Sequence, residues 1–253
     1  MKKFAFLFLI FLSASCSDSF LELYPKDGLS EGNFYNSEVE YILLANGCYI
    51  PMRDYEKSQH WVIAELISDN GSHQNNVVTG EASKGVIDQF ILVSDNVAYL
   101  DFWKLSYNGV TRCNKLLSEI NREGVAWSKE SYRDRSAGEA YFLRALYYFN
   151  LVRQFGGVPL VTEPISSQEA VAIKRATEVQ VYEQIISDLK QSAEHFKKAT
   201  DVKEAGRANE WAAIGLLGKV YLTLHRYDEA SVQLSSVINS GQYALQSNYA
   251  DVF

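Results

Sequence analysis

The side chains best suited to hold a small polar molecule are concentrated in one stretch, Ser68-Asp69-Asn70-Gly71-Ser72-His73-Gln74-Asn75-Asn76. Together, carboxylate, amide and imidazole groups supply the donors and acceptors that a hydroxyl-rich ligand requires. Asp69, Asn70, His73, Asn75 and Asn76 are therefore the candidate ligand-binding residues, with Gln74 among them. Such ligands also stack on flat aromatic faces, yet no Phe, Trp or Tyr lies between Trp61 and Phe90. On this reading a ring platform comes from elsewhere in the protein. The same composition also describes a solvated surface connection, and the sequence leaves both readings open.

Residues that could break or form bonds are not arranged to do so. Asp69, Asp88, Asp95 and Asp101 are available as acids, but nothing in their spacing sets two carboxylates face to face as glycoside hydrolysis needs. His60 and His73 lack a third ligand at metal spacing. Gly80 and Gly85 have phosphate-loop spacing, but Val86 stands where the Lys should follow. The sequence therefore predicts neither an enzyme nor a cofactor or metal.

Charge and the N-terminus narrow the setting. The 253 residues carry a formal charge of −7, with no basic cluster beyond short pairs such as Lys197-Lys198. An acidic surface repels polyanions, so nucleic acid is not an expected partner. Lys2-Lys3 precede an apolar run from Phe4 to Leu12, then Ser13-Ala14-Ser15-Cys16. That run is shorter than the roughly 20 residues that span a bilayer and reads as a secretion signal. Small residues directly before a Cys predict lipidation of Cys16, with ordinary cleavage as the alternative. The expected organisation is a signal over 1–15, a tether over 16–36 and a folded region over 37–253. Cys48 and Cys113 lie in apolar, helical-looking stretches and are expected as buried free thiols rather than a disulfide.

Helices must position whatever site exists. Ser37-x-x-Glu40 opens one as a capping box, and Pro51 is expected to end it. Leu100, Trp103, Tyr107, Val110, Cys113, Leu117 and Ile120 recur at steps of three or four, so Trp103 and Tyr107 read as packing residues; Gly124 is the expected stop. A helix over 130–154 is apolar on nearly every side from Ala140 to Val152 and therefore buried. Arg144 within it requires a buried acidic or carbonyl partner. Thr177-x-x-Gln180 caps a helix with Val181, Ile185, Leu189, Ala193 and Phe196 on one face. Over 209–240, Leu217-Gly218-x-x-Tyr221 followed by Ala230 reproduces tetratricopeptide-repeat spacing. Gly218 and Ala230 would let two helices cross closely, with Tyr221 filling the space beside them.

Three segments together resemble the SusD/RagB family. They are Gly138 to Val161 with its Tyr147-Tyr148-Phe149-Asn150 centre, Gly206-Arg207-Ala208 with the repeat helices after it, and the lipobox followed by Phe20-Leu21-Glu22-Leu23-Tyr24-Pro25. The resemblance implies an all-α fold of tetratricopeptide-like hairpins with loop-rich insertions, of which this chain is the N-terminal half. It also implies a lipid-anchored, surface-exposed protein of the outer membrane. Such a protein captures a glycan or oligopeptide without chemistry and passes it to a SusC-like TonB-dependent receptor. Starch-binding members carry tryptophans in the region of 68–76, and this chain does not. The alternative reading is a repeat scaffold that binds another protein and no nutrient.

Overall fold

The computed structural model describes residues 34–57, 61–68, 70–73, 82–91, 93–201 and 204–252. Cys16, the signal and most of the tether lie outside the described residues. The elements are α1 (Glu38–Tyr55), α2 (Trp61–Leu66), α3 (Ala82–Asp88), α4 (Val97–Glu119), α5 (Glu130–Phe155), α6 (Ser167–Ala172), α7 (Glu178–Lys198), α8 (Glu210–Thr223) and α9 (Tyr227–Asn239), with a short 3₁₀ turn at Tyr249–Val252. Among the described residues the only extended pairings are isolated bridges, Ser37 with Ala126 and Pro159 with Arg175. The fold is all-α.

Local signals start the helices. The Glu40 carboxylate accepts from the Ser37 amide at 2.9 Å and from the Asn36 amide at 2.7 Å, closing the capping box of α1. In α7 the Thr177 hydroxyl accepts from Gln180 N at 3.3 Å while the Gln180 side chain accepts from Thr177 N at 3.0 Å. Asn96 caps α4 by accepting from Ala98 N at 3.0 Å. α4 then ends at Glu119, before Gly124, which takes a left-handed conformation in the following turn.

Pro51 does not end its helix. It lies inside α1, which continues to Tyr55. A helical proline leaves the carbonyl four residues earlier without its amide donor, and that carbonyl belongs to Gly47. Arg112 Nη1 reaches across from α4 and donates to it at 3.3 Å. The next carbonyl, Cys48 O, accepts from the Tyr147 hydroxyl of α5 at 2.7 Å. Tertiary donors replace what the proline removes, so the rule that stops a solitary helix is overridden.

α5 is the centre of the molecule. It packs most extensively on α7, then on α4 and α1. Leu143, Tyr148, Phe149 and Leu151 are fully buried, with Val181, Ile185 and Leu189 of α7 and Val110 and Leu116 of α4. Gly109 exists to admit Tyr147: a Cβ there would lie 2.2 Å from the tyrosine ring. Cys48 and Cys113 are both buried and free. Phe34 and Tyr35, at the end of the tether, pack on the same core.

Two ionic groups are sealed into this packing. Arg144 donates to both Asp188 oxygens of α7, at 2.8 and 2.7 Å, and also to Asn114 Oδ1 at 2.8 Å and Thr162 O at 2.9 Å. Asp188 is thus the acidic partner Arg144 required. Burial pushes the Asp188 carboxyl up, and the guanidinium draws it back. The second group joins Glu139 of α5, fully buried, to Arg207 at 2.7 and 2.5 Å. Arg207 also donates to Asn46 of α1 at 2.5 Å, so the 204–209 connection is pinned to two helices.

At the C-terminal side α8 and α9 form a hairpin. A Cβ on Gly218 would meet Leu234 Cδ2 at 2.7 Å, and Ala230 and Tyr221 are buried beside it. The turn is set by His225, left-handed at φ 58°, and closed by Arg226 N donating to Tyr221 O at 2.9 Å. The outer side of the hairpin leaves Leu222, Val232 and Ile238 exposed.

Candidate functional site

The polar loop is carried by a thin layer separate from the main core. α2, α3 and the start of α4 share a small apolar cluster of Val62, Leu66, Ile87 and Ala98. Asn96, buried at the head of α4, donates through Nδ2 to Ser83 O at 2.9 Å and so fastens α3 while it caps α4.

The loop folds back on α2 before turning to α3. The Ser68 hydroxyl donates to Glu65 O at 2.8 Å, and Asn70 N donates to Ser68 Oγ at 3.3 Å. Asp88 of α3 then gathers the next turn: its Oδ2 accepts from Ser72 Oγ at 3.3 Å and from His73 N at 3.2 Å. Asn70 is exposed and His73 half-buried. Asp69, Asn75 and Asn76, with Gln74, lie outside the described residues.

The same helix also holds an aromatic ring. Lys84 Nζ sits 5.3 Å from the centroid of Trp61, whose side is open to solvent at 45 %. Lys84 and Asp88 are four residues apart and so share one face of α3. That face lines up an indole, an ammonium, a carboxylate and the Ser72–His73 turn. Phe90, left-handed at φ 57° and 62 % exposed, stands just past the end of α3. Ring faces stack against the apolar face of a ligand, and the polar groups exchange hydrogen bonds with its hydroxyls.

Trp61 was not among the candidate ligand residues read from the sequence, yet its side chain is open to solvent. The signal was present in the helical period: Val62, Ile63 and Leu66 are buried, while Trp61, Ala64 and Glu65 share the open face. Trp103 and Tyr107 do pack, as read from their stripe. Trp103 meets Phe155 at 5.1 Å between ring centroids, and the Tyr107 hydroxyl donates to Pro159 O at 2.6 Å. Their outer sides line a second, mostly apolar cleft of about 510 Å³ with Val161, Ile165 and Ile173. Among the described residues, no set of His, Cys, Asp and Glu side chains is arranged to hold a metal ion, and no helix is long and apolar enough to cross a membrane.

Residues 20–222 match a family model described as SusD-like, starch-binding associating with outer membrane. The chain belongs to the SusD-like family. It is 28% identical over 255 residues to a SusD-like protein of Formosa agariphila, covering 98% of this chain and 48% of that relative. A SusD-like protein of Bacteroides ovatus is 25% identical, covering 96% and 45%. The chain therefore spans about half the length of the curated relatives it matches. Among solved structures, a laminarin-binding SusD-like protein superposes with a TM-score of 0.75 at 29% identity, over 86% of this chain and 48% of that one. A SusD-like carbohydrate-binding protein from Bacteroides fragilis gives a TM-score of 0.72 over 87% and 44%; at 24% identity that likeness speaks for the fold.

Proposed function

We propose that this SusD-like chain captures a neutral glycan at the outer-membrane surface and performs no covalent chemistry. The observation that carries the reading is the α3 face that aligns Trp61, Lys84, Asp88 and the Ser72–His73 turn. Asn70 and His73 supply hydroxyl partners, joined by Asp69, Asn75 and Asn76 from the same loop. Laminarin is the first ligand to try, because a relative at 29% identity is named for binding it. The captured glycan passes to a SusC-like TonB-dependent receptor, and Cys16 carries the lipid that holds the protein to the membrane.

Calorimetry against laminarin and a panel of other glycans tests the reading. Trp61→Ala and Asn70→Ala/His73→Ala are expected to weaken whichever ligand binds. Undiminished binding by both variants would remove this face from the site, and enzymatic release of sugar would overturn the non-catalytic reading. Cys16→Ser is expected to free the protein from membranes; retained attachment would refute the anchor. Co-purification with a TonB-dependent barrel is the corresponding check on delivery. The exposed Leu222, Val232 and Ile238 on the hairpin favour a second reading, a protein-binding scaffold. Loss of a protein partner from Val232→Asp/Ile238→Asp, with no glycan bound by the parent chain, would support it instead.

A further inference from the structure

A groove of about 510 Å³ opens where the end of α7 and the 204–209 connection meet the start of α8, with Gln242 and Tyr243 on its far wall. None of its lining residues belongs to α2, α3 or the 70–73 loop. Its volume lies within the range of about 300–1,000 Å³ typical of small-ligand sites.

The floor is charged but balanced. Arg135 is 6% exposed, and its Nη1 donates to Glu204 at 3.0 Å. Arg207 is bound to Glu139. Two guanidinium groups thus face two carboxylates, and Glu210 adds a further acid at the wall. Among the described lining residues an anionic ligand would find no spare cation. One donor does remain: Arg135 Nε is buried without a hydrogen bond, with Glu139 Oε1 3.9 Å away. A buried donor left in that state is destabilising.

The walls are aromatic and polar. Asn209 Nδ2 donates to the Tyr243 hydroxyl at 3.0 Å, while its Oδ1 caps α8 by accepting from Ala212 N at 2.9 Å. The amide is fixed from the helix side, so it holds the Tyr243 ring in place. Trp211 is half-buried and stands outside the three apolar clusters of the described residues. Thr200 and Gln242 add a hydroxyl and an amide. Two rings on a concave surface, neutral hydrogen-bonding groups and no net positive charge are the chemistry of sugar recognition.

We infer that this groove is a second saccharide-binding site, taking a short segment of a neutral oligosaccharide against Trp211 and Tyr243. It is independent of the α3 face, so one protein would hold a glycan chain at two points.

The test is ¹⁹F NMR of the full chain labelled with 5-fluorotryptophan. The four tryptophans are Trp61, Trp103, Trp127 and Trp211, and each is assigned by its Phe substitution. The probes are laminarihexaose, maltohexaose and mannohexaose. The Trp211 resonance is expected to shift saturably with at least one of them, with the shift preserved in Trp61→Ala. Tyr243→Ala should weaken the affinity read at Trp211 about tenfold and leave that read at Trp61 unchanged. An unmoved Trp127 resonance certifies the fold of each variant. Response at Trp61 alone overturns the second groove and leaves the α3 face standing. Response at Trp211 alone supports the groove and removes the α3 face. Silence at both with all three probes overturns both.

Discussion

The α5–α7 interface and the α2–α3 layer are built on opposite terms. In the first, the central ionic group is enclosed and answered: Arg144 alone meets two Asp188 oxygens, Asn114 and Thr162. In the second, four small apolar side chains support a loop, and Trp61, Phe90 and Ile91 remain in water. A closed network fixes geometry but offers nothing to a ligand. An open layer offers groups to a ligand and contributes little to stability. The dense half is the mount on which the sparse half can be varied.

Substitutions should separate the two regions. Arg144→Leu strands Asp188 in the core without its partner, and the expected loss is about 3–5 kcal/mol, read from denaturant unfolding; a wild-type midpoint would mean water enters beside α7. Gly109→Ala drives a methyl into the Tyr147 ring and Ala230→Leu forces the α8–α9 crossing apart, each costing about 1–3 kcal/mol. An unchanged melt for the second would mean that the hairpin does not close there.

Alkali probes the same dense region more gently. Burial pushes the Tyr41 phenol up to about 12, helped by the Glu119 charge, and its hydroxyl donates to Glu119 O at 2.8 Å. Burial raises Tyr55 and Tyr148 as well. A raised folded value means the phenol's contribution is complete below the ordinary value of 10 and is lost as pH climbs towards 12. Stability should fall over that window, and less steeply in Tyr41→Phe; parallel curves would show Tyr41 ionising alike in both states. Trp61→Ala should have the smallest effect on folding, within about 0.5 kcal/mol. A larger loss on melting would place Trp61 in the support of the layer rather than at its surface.

What could be read from the sequence follows the range of the forces involved. The α7 capping box and its apolar face need only neighbours three or four residues away, and both are in place. Arg144 announced an acidic partner because its own helix had no room for a free charge, although only the fold selects Asp188. Arg207 sits in a recognisable Gly-Arg-Ala segment, but its partners Glu139 and Asn46 lie 68 and 161 residues away, beyond any local pattern. Trp61 was passed over because a helix of six residues gives its period little length in which to show. Lys84 and Asp88 lie four residues apart, but no local pattern marks them as the residues that bring a ring and a loop together.

The proline in α1 changes how that helix can come apart. Without an amide at Pro51, the Gly47 carbonyl depends on Arg112, and Cys48 O also takes the Tyr147 hydroxyl. Fraying of α1 beyond Gly47 therefore breaks bonds to α4 and α5 along with its own. Local openings in proteins proceed in cooperative units, and these three helices are tied into one. Their amides near Met52, Arg112 and Tyr147 should exchange with solvent deuterium at a common rate, and Pro51→Ala should release the first from the other two. A residue that ordinarily divides a helix here enlarges the unit that must unfold at once.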